Sequence, residues 1–186
     1  LINEMAILCD RMGINIWEVI DAAKTKPYGF QAFYPGPGLG GHCIPLDPYY
    51  LSWKAREYGF HTLMIESSMM INDRMPEYTV ERAGKILNRH RKPLHGSRIL
   101  VLGAAYKQDI DDYRESPAVR VMEEFRRTGA FVDYYDPFVP EYQKGKTRYK
   151  GIPALTPEAV RQYDLVTIAT AHTKVDYAMV CRCGVP

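Results

Sequence analysis

Residues 98–103 read Arg-Ile-Leu-Val-Leu-Gly, a short apolar run that ends in glycine. Such a run, apolar at every central position, is typical of a buried strand in a parallel sheet, where both faces are covered. Further helix starts and strands alternate after it, in the order Ser116-Pro117, residues 131–135, Thr156-Pro157 and residues 165–169. This alternation predicts an α/β fold, a Rossmann-like doubly wound parallel sheet with a ligand crevice at the carboxyl ends of its strands.

The chain before this strand has a helical pattern instead. Apolar residues recur three or four positions apart over residues 2–12, and Gly13 would end that helix. Asn15 stands three residues before Glu18, an Asn variant of the capping box, and opens a second helix. Its Trp17 is interpreted as a packing residue.

A long loop rich in proline and glycine follows, from Lys24 to Leu46. Asp47-Pro48 then predicts the start of a helix that runs to Gly59. Its aromatic residues are expected to pack, and they are Tyr49, Tyr50, Trp53 and Tyr58.

Another helical stretch covers residues 62–91 and is bent or broken near Pro76. We expect its methionines, Met64, Met69, Met70 and Met75, to fill a core. Because the pattern changes near residues 92–96, the sequence predicts an all-helical domain over residues 1–95 and an α/β domain over residues 96–186.

The composition of the 186-residue chain excludes several classes of protein. Hydrophobic residues make up 46% and charged residues 25%, which is typical of a folded globular protein. The net charge of +2 is too close to zero to indicate a dedicated binder of nucleic acid or membrane surfaces. Without an apolar span or a visible secretory signal, a cytoplasmic protein is expected. We expect reduced thiols and no metal site, because no metal-ligand spacing relates Cys9, Cys43, Cys181 and Cys183.

Residues 34–48 carry the most informative motif, Tyr-Pro-Gly-Pro-Gly-Leu-Gly-Gly-His-Cys-Ile-Pro-Leu-Asp-Pro. Its glycines allow backbone amides to approach a ligand, and Cys43 precedes a predicted helix start, where the helix dipole favours a thiolate. We therefore expect Cys43 to be an activated nucleophile. The alternatives are a small structural cysteine in a glycine-rich turn and a Cys-His pair with His42, although neighbouring residues in a turn usually project apart.

Asp47 has two interpretations. An Asp immediately before a proline is what a helix N-cap prefers, so the residue is expected to cap the helix that starts at Pro48. Its carboxylate, four residues after Cys43, is also placed to hold a water molecule near the thiol. The two roles are compatible.

Residues 103–117, Gly-Ala-Ala-Tyr-Lys-Gln-Asp-Ile-Asp-Asp-Tyr-Arg-Glu-Ser-Pro, join the first strand to its helix. They lack the Gly-x-Gly-x-x-Gly spacing that brings a dinucleotide pyrophosphate to a helix N-terminus. Lys107 and Arg114 instead offer two cationic groups to phosphate or carboxylate oxygens. The segment is thus a candidate anion site, whereas His172 is interpreted as structural or incidental.

At these two segments the chain resembles the UDP-glucose/GDP-mannose dehydrogenase family, NAD-dependent enzymes that oxidise the C6 hydroxyl of a nucleotide sugar to a carboxylate. Asn3-Glu4 onward is similar to the late part of the family's central dimerisation helix, residues 36–47 to its nucleophile loop, and residues 103–117 to the start of its nucleotide-sugar domain. Residues 25–30 and 40–47 most resemble the UDP-N-acetylglucosamine 6-dehydrogenase branch.

The resemblance implies a role for each matching position. Cys43 would be the nucleophile that forms a thiohemiacetal and then a thioester, and Asp47 would assist the water that releases the acid. The residues that would contact the nucleotide sugar are Tyr34, Pro35, Gly36, Pro37, Gly38, Leu39, Gly40, Tyr106 and Lys107. Those that would face NAD are Cys43, Ile44, Pro45, Leu46 and Arg114.

The resemblance further implies a UDP-sugar substrate, NAD as cofactor and a homodimer or larger homo-oligomer formed through the central helices. The family's N-terminal Rossmann domain, the Lys and Asn of its early central helix, and an Arg expected beyond Pro186 have no counterpart here. We therefore expect a fragment, about half an enzyme, that is inactive by itself. The alternatives are a non-catalytic dimerisation and nucleotide-binding module, and an acyl-transferring cysteine enzyme with a His base beside Cys43.

Overall fold

A computed structural model describes all residues from Leu1 to Pro186. The first part of the chain is helical, with the elements α1 (Ile2–Met12), α2 (Ile16–Ala23), α3 (Cys43–Arg56), α4 (Leu63–Asp73) and α5 (Met75–Arg89). The second part mixes strands and helices, with the elements β1 (Arg98–Leu102), α6 (Pro117–Arg127), β2 (Phe131–Tyr135), β3 (Glu141–Lys144), β4 (Thr147–Lys150), α7 (Pro157–Val160), β5 (Leu165–Ile168) and α8 (Tyr177–Arg182). No helix is both long and apolar enough to cross a bilayer.

The central strand β1 organises the second part of the chain. It pairs in parallel with β2 on one side and with β5 on the other, so that Ile99 lies opposite both Val132 and Leu165. All three strands lie where the sequence predicts them. The parallel sheet and its connecting helices confirm the predicted Rossmann-like α/β fold.

Helices cover both faces of this sheet. Successive side chains of a strand point to opposite faces, so β1 divides its apolar residues between two cores. Ile99 and Val101 pack with buried residues of α5 and α6, whereas Leu100 and Leu102 pack with α7 and α8. Because both faces are buried, every position from 99 to 102 has to be apolar, and this is the doubly wound arrangement.

Helix α5 extends the core of the sheet across the predicted domain boundary. Its buried residues Val80, Ala83 and Leu87 belong to the same apolar cluster as β1 and α6. The division between residues 95 and 96 stays a prediction. In packing terms, however, α5 is part of the α/β core.

Local signals in the sequence account for several helix ends. Gly13 ends α1 in the left-handed conformation, with φ of +70°, and Asn15 Oδ1 accepts a hydrogen bond from Trp17 N at the start of α2. Ser116 Oγ accepts from Ala118 N at the start of α6, where proline is the first helical residue. The helices therefore begin and end there as predicted, and the predicted break near Pro76 falls between α4 and α5.

The start of α3 differs from the prediction. The helix begins at Cys43, with His42 as the flanking residue, and Pro48 lies inside it. Asp47 is consequently not an N-cap, and that interpretation was wrong. Pro45 fits the earlier start. The N–H groups of a first helical turn have no intrahelical partner, so a proline, which lacks the N–H, costs no hydrogen bond there.

The packing predictions for α3 and α4 were only partly right. Met69 and Met75 are buried, but Met64 and Met70 are 86% and 66% exposed. The aromatic residues expected to pack are also largely exposed, namely Tyr49, Tyr50, Trp53 and Tyr58. The reason is that α3 and α4 pack mainly on each other, which leaves an apolar surface without a partner in this chain.

A two-stranded antiparallel hairpin, β3–β4, was not predicted. Tyr142 of β3 and Tyr149 of β4 stack with ring centroids 4.9 Å apart, and the Arg126 guanidinium lies 4.2 Å from the Tyr149 centroid. The Arg126 contact attaches the hairpin to α6, and the packing of Tyr142 on Tyr134, with ring centroids 5.2 Å apart, attaches it to β2. The strands are too short and too charged to produce a clear alternation in the sequence.

Candidate active site

The glycine loop between α2 and α3 packs against the turn that follows β1. An ideal Cβ on Gly40 would lie 2.6 Å from the Cβ of Tyr106 and 2.8 Å from Cδ of Pro117, distances at which real Cβ atoms do not occur. Gly41, with φ of +87°, faces the Tyr106 ring. Glycine is required at both positions, for close approach at Gly40 and for backbone conformation at Gly41. The two segments singled out in the sequence are therefore in direct contact.

The first half of the loop is anchored to the helical part. The buried side chain of Asn3 accepts a hydrogen bond from Gly36 N, at 2.9 Å, and donates one to Asn72 Oδ1, at 2.8 Å. Tyr34 stacks on Trp17 with ring centroids 5.6 Å apart. Asn3 was missed as a site residue. Its only sequence signal is an amide on the buried face of an amphipathic helix.

The loop residues predicted to contact the sugar lie between two concave surfaces. Tyr34, Gly36, Gly38 and Leu39 line a mainly apolar groove of about 580 Å³ against α1 and α2. On the other side, Pro35 and Pro37 line a cleft of about 690 Å³ that faces α5 and β5. Neither surface includes Cys43 or Lys107, so the predicted residues do not form one closed pocket within this chain.

Cys43 is the first residue of α3, and its side chain is exposed. Unpaired backbone N–H groups and the positive end of the helix dipole lie at such a position, and both stabilise a thiolate. The exposed residues Ile44 and Leu46 and the half-buried Pro45 continue this first turn. Cys43 thus lies exposed at a helix N-terminus, and its role as a nucleophile stays a prediction.

Asp47 lies one helical turn after Cys43. Residues four apart share a helix face, with Cβ atoms about 5–6 Å apart, so the carboxylate and the thiol are neighbours on the surface of α3. Both side chains are exposed. Helical spacing accounts for this proximity. With the capping interpretation removed, a role near the thiol is the interpretation that remains for Asp47.

The cationic side chains of the turn after β1 differ in their surroundings. Arg114 makes two hydrogen bonds to the Asp112 carboxylate, at 3.0 Å and 2.8 Å, and also donates its backbone N–H to it. The Arg114 bonds, with His42 nearby, lower the pKa of Asp112 to about 2. Lys107 is exposed and forms no ion pair. Lys107 is thus available to an external anion, whereas Arg114 is already paired.

A buried hydrogen-bond network at the carboxyl edge of the sheet was not identified from the sequence. Asp136, at the end of β2, accepts hydrogen bonds from the backbone N–H groups of Ala104 and Ala105 and contacts His172 Nε2. Burial raises the pKa of the Asp136 carboxyl, but the backbone hydrogen bonds outweigh it, so the pKa lies below its ordinary value. The available signal was position, because these polar residues follow β2 and β5, the two strands that flank β1 in one parallel sheet.

Comparison with known proteins identifies both parts of the chain. Residues 1–74 match the central domain of the UDP-glucose/GDP-mannose dehydrogenase family, and residues 100–182 match the UDP binding domain of the same family. The chain belongs to the UDP-glucose/GDP-mannose dehydrogenase family. The glycine loop and Cys43 lie in the central-domain match, and Tyr106 and Lys107 lie in the UDP-binding match.

Relatives within this dehydrogenase family align along most of the chain. It is 37% identical to a UDP-N-acetyl-D-glucosamine 6-dehydrogenase of Pseudomonas aeruginosa over 94% of the chain and 40% of that protein. It is 34% identical to a UDP-N-acetyl-D-mannosamine dehydrogenase of Methanocaldococcus jannaschii over 92% of the chain and 36% of that protein.

A solved structure confirms the fold. The UDP-D-ManNAc dehydrogenase of Pyrococcus horikoshii superposes with a TM-score of 0.81 at 32% identity, covering 98% of this chain and 41% of that one. The chain thus spans about 40% of the length of the dehydrogenases it matches.

We expect Gly40→Ala to force the glycine loop away from the turn after β1, because the added methyl would overlap Tyr106 and Pro117. Overpacking of this kind costs about 1–3 kcal/mol. Gly36→Ala is the matched control, since the nearest atom to its added methyl is Gly38 O at 4.0 Å and its backbone is not left-handed. Urea unfolding measures both variants, and an equal loss of unfolding free energy would contradict the close-contact interpretation.

Cys43 is expected to react with iodoacetamide faster than the other cysteines, because its position at a helix start favours the thiolate. The informative control is Cys181, which is also exposed but lies near the end of α8. Mass mapping after brief alkylation of the folded protein measures the relative rates. If Cys181 and Cys43 are labelled equally, exposure alone explains the reactivity and the helix-dipole argument fails.

Proposed function

We propose that this chain is part of an enzyme that oxidises the C6 hydroxyl of a UDP-N-acetylhexosamine to a carboxylate in an NAD-dependent, four-electron reaction. One observation carries the proposal. An exposed cysteine at the first residue of α3 lies on a glycine loop that contacts the turn of the UDP-binding part. The names of the aligned relatives, which act on UDP-N-acetyl sugars, favour this substrate class.

Cys43 has the covalent role in the proposed mechanism. Oxidation of the alcohol gives an aldehyde at C6, and the Cys43 thiolate adds to the aldehyde carbon to form a thiohemiacetal. A second oxidation of that carbon leaves a thioester on Cys43. NAD, when bound, supplies the hydride acceptor for each of the two oxidations. Water then cleaves the thioester, which releases the carboxylic acid and regenerates the thiol.

Asp47 is proposed to act in the last of these steps. Its carboxylate is on the same helix face as Cys43, one turn away, and it is exposed rather than tied up in a helix cap. A carboxylate at this distance can hold a water molecule beside the thioester carbon and accept its proton.

The residues of this chain fit the cofactor only in part. The turn after β1 does not suit a dinucleotide pyrophosphate, because Asp136 occupies the N–H groups of Ala104 and Ala105. An ideal Cβ on Gly103 would lie 2.2 Å from Thr170 O, so that the backbones following β1 and β5 are in contact. We therefore propose that only the first turn of α3 and Arg114 face NAD, which needs a further binding surface.

Lys107 and Tyr106 are proposed to bind the nucleotide sugar. They lie at the tip of the turn after β1, and Lys107 is an exposed, unpaired cation in the part that matches a UDP binding domain. An ammonium group beside a diphosphate makes charge-assisted hydrogen bonds. Tyr106 additionally connects this tip to the Cys43 loop through its contact with Gly40.

We also propose a homodimer formed through the central helices. Exposed apolar side chains on α3 and the start of α4 support it, among them Leu51, Trp53, Leu63 and Met64. A concentration of large exposed apolar side chains on one part of a chain is characteristic of an interface. Sedimentation velocity over a range of concentrations measures whether the chain forms dimers.

Lys107→Ala is expected to weaken binding of UDP-N-acetylglucosamine by about 1.5–3 kcal/mol, the value of a charge-assisted hydrogen bond. Lys146→Ala is the control, because Lys146 is also exposed and lies at the tip of the β3–β4 hairpin. Calorimetry measures both dissociation constants. If the Lys107 variant folds and binds like wild type, Lys107 is a solvated surface residue and the proposed phosphate contact is wrong.

Asp47→Asn, made in a full-length protein that contains this chain, is expected to slow thioester hydrolysis by about 10²- to 10⁴-fold while both oxidations continue. The thioester should then accumulate on Cys43. Intact-mass analysis after acid quenching detects the adduct, and Asp47→Asn combined with Cys43→Ala is the control that should show none. Normal turnover of Asp47→Asn without an adduct would exclude a role for the carboxylate in hydrolysis.

A further inference from the structure

Hydrogen bonds hold both ends of the exposed tip Tyr106–Gln108. At the first end, Asp136 Oδ2 accepts from Ala104 N and Ala105 N, at 2.7 Å and 3.0 Å. Thr170 Oγ1 donates to Ala105 O at 2.6 Å. The backbone before the tip is therefore fixed by a carboxylate from the end of β2 and a hydroxyl from the end of β5.

At the second end, Asp109 has a left-handed backbone, with φ of +60°. Its N–H donates to His172 Nδ1 at 2.9 Å, and its carboxylate accepts from Thr173 N and Thr173 Oγ1, each at 2.9 Å. A residue other than glycine keeps this conformation only where its surroundings hold it there. The three hydrogen bonds that Asp109 makes with residues 172 and 173 supply that restraint.

His172 connects the two ends. Its Nε2 lies 2.9 Å from Asp136 Oδ2, and the side chain is completely buried beneath Phe138, with ring centroids 5.1 Å apart. Because Nδ1 accepts a hydrogen bond from a backbone N–H, the neutral ring carries its proton on Nε2 and donates it to Asp136. One imidazole therefore links the carboxylate before the tip to the amide after it.

We propose that His172 is a positioning residue for the nucleotide-sugar site: its neutral Nε2–H form holds the Tyr106–Gln108 tip so that Lys107 faces the UDP diphosphate. The proposal rests on the proposed function, because it takes Lys107 to be a phosphate contact. His172 acts through Asp109 and needs no contact with substrate. Since Tyr106 packs on Gly40 and Gly41, the same restraint also sets where the Cys43 loop lies against the tip.

Two substitutions test separately the hydrogen bond of His172 with Asp109 and its hydrogen bond with Asp136. The side-chain oxygen of Asn lies near the position of Nδ1, so His172→Asn keeps an acceptor for Asp109 N and loses the donor to Asp136. The amide nitrogen of Gln lies near the position of Nε2, so His172→Gln keeps the donor and loses the acceptor. Each variant removes one buried hydrogen bond, and similar losses of thermal stability are expected.

The variants are compared by amide hydrogen exchange of residues 106–109 and by calorimetric titration with UDP. We expect faster exchange and about 5- to 20-fold weaker UDP binding for His172→Gln. The reason is that the tip would be in its binding conformation for only about one fifth to one twentieth of the time. For His172→Asn we expect exchange and affinity within about twofold of wild type.

The outcomes are distinct. If both variants lose UDP affinity equally, in proportion to the fall in their melting temperatures, His172 only stabilises the fold. That result would overturn the proposal. Unchanged exchange and affinity in His172→Gln would overturn it as well. Wild-type protein that binds no UDP would contradict the proposed function instead, and the exchange data alone would then decide whether His172 orders the tip.

Discussion

The contact between the Gly40 backbone and the Tyr106 side chain is the constraint on which the candidate site depends. Glycine lets the loop before α3 approach the turn after β1 more closely than any side chain would permit. This contact brings a cysteine from the helical part beside a lysine-bearing tip from the α/β part. The chemistry proposed for Cys43 and the binding proposed for Lys107 become parts of one site only because of it.

The parallel sheet determines where the second half of the site lies. Its strands all end at one edge, so the residues that follow β1, β2 and β5 converge there. The backbones of Gly103 and Thr170 are in contact beyond the ends of β1 and β5, which leaves the Tyr106–Gln108 tip for the proposed ligand contact. The buried Asp136–His172 pair supports the backbone at this edge of the sheet. The His172 ring is completely buried, so it exposes no polar atom to a ligand.

Helix α3 begins four residues earlier than Asp47, the residue predicted to cap it, and this changes the surroundings of two candidate site residues. Asp47-Pro48 has the composition of a helix start, but Pro45 already satisfies the first turn and the helix begins at Cys43. The shift strengthens the case for both residues. It gives Cys43 the helix N-terminus itself and places Asp47 on the same face, one turn later.

The amino-acid sequence alone was sufficient for the three strands and several helix ends, and it singled out Cys43 with its glycine loop as a candidate, because apolar periodicity, capping residues and glycine spacing are local properties. It did not reveal the roles of Asn3, Asp136 or His172, each of which makes hydrogen bonds to residues 31 or more positions away along the chain. It also assigned α3 and α4 side chains to a core that this chain does not supply. Burial and long-range hydrogen bonds depend on which surfaces meet in three dimensions, and only the tertiary structure determines that.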